Sequence, residues 1–109
     1  MFTYAEFQIQ GYVGKITAQA KCLKINIAAS ERWTDRQTGE VREKTRWNTI
    51  TFWENAPGFA WIKSNLNTGD LVQARGDIEA ISYEKDGETI YATDLRAQTI
   101  AVIPTGKGR

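Results

Sequence analysis

The chain is 109 residues long, 41% hydrophobic and 25% charged, with a formal net charge of +1. That is the composition of one globular domain, able to bury a core without disulfides, with no apolar run of bilayer length and with any polyanion site confined to a local patch. Having no histidine and a single cysteine, it lacks the commonest general base, the commonest nitrogen ligand for metals and any internal disulfide, so no enzyme activity, metal or cofactor is expected.

Met1-Phe2-Thr3-Tyr4-Ala5-Glu6 lacks the basic start, apolar centre and cleavage site of a secretory leader, so a cytoplasmic location is expected. From Glu6 to Ile16, Phe7, Ile9 and Val13 alternate with Gln8, Gln10 and Tyr12, while Gly11 and Gly14 interrupt the run. This predicts a strand with a bend or bulge. Leu23, Ile25, Ile27 and Ala29 alternate with Lys24, Asn26, Ala28 and Ser30 in a second strand, with Cys22 at its start as a small packing residue. The segment from Glu31 to Arg46 is highly charged, poor in core-type residues and turns at Thr38-Gly39-Glu40. Two strands running past the core as a long antiparallel arm account for it. In that arm Arg32, Arg36, Arg42, Lys44 and Arg46 outnumber Asp35, Glu40 and Glu43, with Trp33 and Trp47 near its roots. Charge runs usually mean only a solvated face. Basic residues interleaved with aromatics are also what a sequence-tolerant binder of single strands needs, charge following the phosphates while rings stack on bases.

Arg46-Trp47-Asn48-Thr49-Ile50-Thr51-Phe52-Trp53 alternates as a strand does, yet carries large aromatics on both faces. With Ile50 and Phe52 turned into a core, Trp47, Thr49, Thr51 and Trp53 are expected on the wet side, a platform for a flat ligand. Burial on both faces, or a subunit interface, explains the same pattern, because Trp is enriched there too.

Phe59, Ile62 and Leu66 have helical spacing, with Asn55 as the expected N-cap, Pro57 in the first turn and Gly69 just past the end. Trp61, off that stripe, is assigned to partial packing. A fourth strand from Asp70 to Tyr83 places Val72, Ala74, Gly76 and Ile78 on one face and Gln73, Arg75, Asp77, Glu79, Ile81 and Tyr83 on the other. Lys85-Asp86-Gly87-Glu88 is a hairpin turn, and Thr89 to Ile103 returns. Asp70, Asp77, Glu79 and Asp94 read as solvated. Five strands with one short helix between strands 3 and 4 is the order of an all-β, five-stranded Greek-key barrel, the OB-fold, here with a long strand 2–3 hairpin arm. It is expected over residues 1–104, with a short flexible tail over 105–109.

Ile27-Ala28-Ala29-Ser30-Glu31-Arg32-Trp33, Thr38-Gly39-Glu40, Thr45-Arg46-Trp47-Asn48, Thr49-Ile50-Thr51-Phe52-Trp53, Gly69-Asp70-Leu71-Val72 and Gly76-Asp77-Ile78, in this order, resemble the DNA-binding domain of bacterial single-stranded DNA-binding proteins. The resemblance runs from about Phe7 to Ile103. It implies an OB-fold protein, usually a homotetramer, that coats single-stranded DNA in replication, recombination and repair. By position in these motifs it also implies base-stacking roles for Trp33, Trp47, Trp53 and Tyr83; the last two stand where the family more often has phenylalanine and tryptophan. Asn48 replaces a histidine associated with subunit contacts, so a dimer is kept beside the tetramer. Ending at Arg109 without a long polar linker and acidic tip, the chain resembles a tail-less or truncated form of phage or plasmid type.

The resulting expectation is a non-catalytic, sequence-independent binder of single-stranded DNA, nucleoid-associated and away from membranes. Trp33, Trp47, Trp53 and Tyr83 stack on bases, while Lys24, Arg32, Arg42, Lys44, Arg46 and Arg75 meet phosphates. The alternative is an OB-fold interaction module of a primosome or a phage or plasmid replication complex, in which the aromatics bury a protein partner. Replication or recombination proteins are further expected partners.

Overall fold

Strands form where apolar residues recur at every second position. In the computed structural model, which describes residues 1–105, these runs become β1 (Glu6–Ala18), β2 (Cys22–Thr34), β3 (Val41–Trp53), β4 (Leu71–Lys85) and β5 (Glu88–Ile103), with one helix, α1 (Phe59–Asn65), between β3 and β4. The strands close into a barrel in the order β1-β2-β3-β5-β4, with β1 also paired to β4. All neighbours are antiparallel except β3 and β5, which run parallel through Ile50–Leu95, Thr51–Arg96 and Phe52–Ala97. The expected OB-type barrel is therefore the fold. Beyond Thr105 the expected tail lies outside the described residues.

One strand serves two neighbours because β1 bends. It pairs with β4 from Glu6 to Tyr12 and with β2 from Tyr12 onward, and its register with β2 slips between Val13 and Ile16, where the bulge is expected. The loop before β4 grips that bulge: Gly69 N–H donates to Val13 O (2.8 Å), and Thr68 Oγ1 donates to Gly14 O (2.7 Å). A second slip lies between β4 and β5, where Gln98 is left over as Arg75 faces Thr99 and Gly76 faces Ala97. A Cβ on Gly76 would run into the Arg96 carbonyl, so the close approach of the two backbones there requires glycine.

Inside the barrel lie Val13, Leu23, Ile25, Ile27, Ile50, Phe52, Val72, Ala74 and Ala97, and α1 closes one end with Ile62 and Leu66. Phe59 extends the plug, its ring 5.6 Å from that of Phe52. The helix starts later than expected. Its cap is Gly58, at φ 80°, rather than Asn55, and no side chain caps it. Pro57 has no N–H to give and Gly58 adopts a left-handed φ, so helical geometry can begin only at Phe59. Trp61, assigned to partial packing, is more than half exposed, on the side of α1 away from the barrel.

The β2–β3 arm is present, its ladder running without interruption from Cys22–Trp53 to Thr34–Val41. A second arm was not expected. β4 and β5 also outrun the barrel, pairing out to Lys85–Glu88 around Asp86 and Gly87, both at positive φ (53° and 79°), as a two-residue type I′ turn requires. Ile78, expected on the core face of β4, is exposed because it lies at the barrel's rim, one residue past the end of the β1–β4 ladder at Asp77. The arms explain a radius of gyration of 16.6 Å, against roughly 13 Å for a compact chain of this size.

Candidate nucleic-acid interface

Alternation along uninterrupted ladders decides which side chains share a face. On the outer face of β1, β2 and β3, Tyr12, Ala28 and Trp47 form one row, since Ala28 is the register partner of both. Trp47 and Tyr12 are both more than half exposed. The Trp47 ring leans over Gly14, where an added Cβ would come within 2.7 Å of Cζ3, so glycine in the β1 bulge makes room for the indole. Beside it a groove of about 330 Å³ runs between Lys15, Thr17, Lys24, Asn26 and Thr49. Two hydrogen bonds brace its wall, Asn26 Nδ2 donating to Thr49 Oγ1 (3.3 Å) and Lys24 Nζ to Thr51 Oγ1 (2.6 Å).

The wet platform expected on β3 is only half present. Thr51 is buried, and its hydroxyl donates to Asp94 Oδ1 at 2.9 Å. Trp53 is half-buried, its indole N–H enclosed without a partner among the described residues. The cause is β5, whose parallel pairing with this end of β3 covers what alternation alone leaves open. Three carboxylates read as solvated, Asp70, Asp77 and Asp94, are also enclosed in part, Asp77 being half-buried and accepting from Gln98 Nε2 at 2.8 Å. Asp70 is buried and accepts the Asn67 N–H at 3.0 Å, and Asp94 is half-buried.

On the β2–β3 arm Trp33 lies opposite Arg42 and shares its ribbon face with Lys44 and Arg46, whereas Trp47 and Arg32 are on the other face. The structure thus brings Trp33 together with three cations, but not with Trp47. Carboxylates compete for those cations: Arg46 pairs with Glu31 (3.2 Å), Arg32 with Glu43 (3.9 Å) and Arg42 with both Asp35 (3.0 Å) and Glu40 (3.7 Å). Among the described residues, Lys24, Lys44 and Arg75 are in no ion pair of this kind. Tyr83, half exposed, stands on the β4–β5 arm, eight residues and about 26 Å of strand from Arg75. Two aromatic and basic features escaped sequence reasoning. Tyr12 was counted with the polar face of β1, and Arg96, whose guanidinium carbon lies 5.5 Å from the centroid of the Trp53 ring, was not singled out. An aromatic on the polar side of a bulged strand was the available signal for Tyr12. Arg96 had none, because its partner lies on a strand far off in sequence.

The arm's tip is organised by Asp35. Its carboxylate accepts the Gln37 and Thr38 N–H groups and the Arg42 Nε–H, while its carbonyl accepts the Gly39 N–H. The Gln37 N–H first, then Arg42, with a smaller contribution from Thr38, hold the Asp35 carboxyl below its ordinary value of 3.8, against a partial opposing effect of burial. A depressed folded pKa stabilises the tip at neutral pH, and that stabilisation is lost as pH falls through the folded value. Followed by NMR from neutral to strongly acidic pH, the Gln37 amide proton is expected to shift with a midpoint below 3.8. A midpoint at or above that value removes Asp35 as the anchor of the turn.

A closed five-stranded barrel with a helix plug between its third and fourth strands, two projecting arms and exposed aromatics set among cations defines an OB-type nucleic-acid-binding domain. The chain belongs to the single-strand binding protein family, whose model it matches over residues 10–103. Among solved structures it is similar to a Plasmodium falciparum SSB in complex with ssDNA, at 18% identity and a TM-score of 0.73, covering 95% of this chain and 98% of that one. It is also similar to a mitochondrial single-stranded DNA binding protein from S. cerevisiae, at 25% identity, a TM-score of 0.63 and coverage of 97% and 100%. A small single-stranded DNA-binding protein from Streptomyces coelicolor gives 19% identity, a TM-score of 0.64 and coverage of 98% and 100%.

Proposed function

We propose that the protein binds single-stranded DNA without regard to sequence, with Trp33, Trp47, Tyr83 and the open part of Trp53 stacking on bases. Lys24, Arg32, Arg42, Lys44, Arg46 and Arg75 meet the phosphates. The observation that carries this reading is Trp47: a more than half exposed indole on a barrel face beside a groove containing Lys15 and Lys24. Stacking needs an open base face, which a duplex hides, so single strands are preferred. Lys24, Lys44 and Arg75, in no ion pair among the described residues, can neutralise phosphate without giving up a carboxylate, whereas Arg32, Arg42 and Arg46 must first release theirs; the paired three are expected to add less to the salt dependence. No chemical step is involved.

Titration of the intrinsic tryptophan fluorescence with poly(dT) at two salt concentrations, against a duplex control, tests the proposal. Strong quenching by the single strand, weak by the duplex and weakened by salt, is the expected result. Unchanged fluorescence from folded, monodisperse protein defeats it.

A protein-contact reading is favoured in one place, the β4–β5 arm, which exposes Ile81 and Tyr83 on one ribbon face and Ile78 and Tyr91 on the other. Those faces support a homo-oligomer; a tetramer ahead of a dimer, and replication, recombination or repair proteins as further partners, belong to the same proposal. Among the described residues no helix is long and apolar enough to span a membrane. The working location proposed is the cytoplasmic nucleoid.

A further inference from the structure

Arg96 stands on β5 opposite Thr51, exposed, with its guanidinium over one face of Trp53. A hollow opens on each side of this pair. One, of about 230 Å³, is lined by Lys21, Trp53, Glu54, Asn55 and Arg96. The other, of about 220 Å³, has Trp53, Ala56 and Pro57 as apolar wall and Asn55 and Gln98 as polar edge, with Arg96 between the two. Two cations face one carboxylate in the first hollow, which leaves it positive. The second offers an apolar surface with amide donors and acceptors at its rim, the lining that a nucleobase meets well and a phosphate poorly.

The guanidinium's position on the ring matters more than its charge alone. A planar cation on an aromatic face is held by the ring's quadrupole and loses less freedom when its fork of N–H groups binds an anion. Trp53 can hold its ring still for this purpose, because the indole nitrogen is enclosed rather than free in solvent. Among the described residues no carboxylate forms an ion pair with Arg96, in contrast to the arm arginines.

Resting on the single-stranded DNA function proposed for the protein, we propose that Arg96, supported by Trp53, is a nucleic-acid contact in its own right. With Lys21 it takes a backbone phosphate in one hollow, and the neighbouring base enters the other against Pro57. Trp53 is then a positioning residue as well as an aromatic contact. The strand's path thereby continues from the Trp47 face round to the β3–β5 junction.

Salt titrations of poly(dT) binding test this directly. Arg96→Gln is expected to lower affinity roughly tenfold at low salt and to reduce the salt slope by about 0.7, the share of one phosphate on a single strand. Arg96→Lys keeps the charge but not the stacked planar fork, so it should retain the slope and still bind less tightly than the parent. A chain of abasic deoxyribose phosphates should show the same loss of slope with Arg96→Gln, because the contact is to phosphate. Arg96→Gln with parental slope and affinity overturns the proposal while leaving single-strand binding intact. Failure of the parent protein to bind poly(dT) at all overturns the function itself, and this inference with it. Since Arg96 is exposed, thermal unfolding of the variants should match the parent; lower stability with an unchanged slope assigns the residue a structural role only.

Discussion

Replacing Trp47 with alanine is expected to weaken poly(dT) binding by roughly 5- to 150-fold, the equivalent of about 1 to 3 kcal/mol for one stacked base. The indole is 57% exposed, and its ring covers Gly14 rather than the core, so little folding stability goes with it. Trp33→Ala should give a loss of similar size, but through a different part of the strand. The two rings project from opposite faces of one ribbon and are separated by five ladder steps, about 17 Å. Side chains that far apart, with no shared partner, contribute independently, so with poly(dT) the double variant should show the sum of the two losses in free energy. An oligonucleotide of about four nucleotides, the short end of OB-fold site sizes, reaches one face at a time and should not show that sum. Unchanged poly(dT) affinity in Trp47→Ala, with a changed oligomeric state, would instead assign the ring to a protein interface.

Phe52→Ala is expected to remove roughly 3 to 5 kcal/mol of unfolding free energy, a large part of the 5 to 15 kcal/mol typical of a domain. Phe52 is fully buried on β3, between Leu23 of β2 and Ala97 of β5, with the Phe59 ring from the helix plug beside it. It therefore sits at the place where the barrel closes through only three parallel residue pairs. Removing the ring leaves a cavity bordered by three strands and a helix, none of which can collapse into it without breaking that short ladder. Urea unfolding followed by circular dichroism measures the loss. A change below about 1 kcal/mol would show that the closing junction is held from elsewhere. The single-strand affinity of the residual folded fraction should be near parental, because Phe52 is fully enclosed in the core and is itself none of the proposed contacts.

What is legible in the sequence is what is local in the chain. Period-two alternation identifies Ile25, Ile27, Ile50 and Phe52 as core, and all four are fully buried. The Asp-Gly pair between β4 and β5, and the charged run between β2 and β3, likewise announce a tight hairpin and an arm, since turn chemistry and solvation act over a few residues. The helix starts after its expected cap because Pro57 and Gly58 together override the capping preference of Asn55.

Alternation orders the faces of one strand but carries no information about which strand lies beside it or in what register. Only the folded chain decides that β5 covers Thr51 and half of Trp53, that Tyr12 joins the row of Trp47, and that Arg32, Arg42 and Arg46 meet carboxylates while Lys44 does not. Arg96 reaches Trp53 across a stretch of chain that local preference cannot span, for the same reason. The sequence alone determined a β-barrel with aromatics and cations to spare; the pairing of distant strands, which no local preference encodes, decided which of them form a surface.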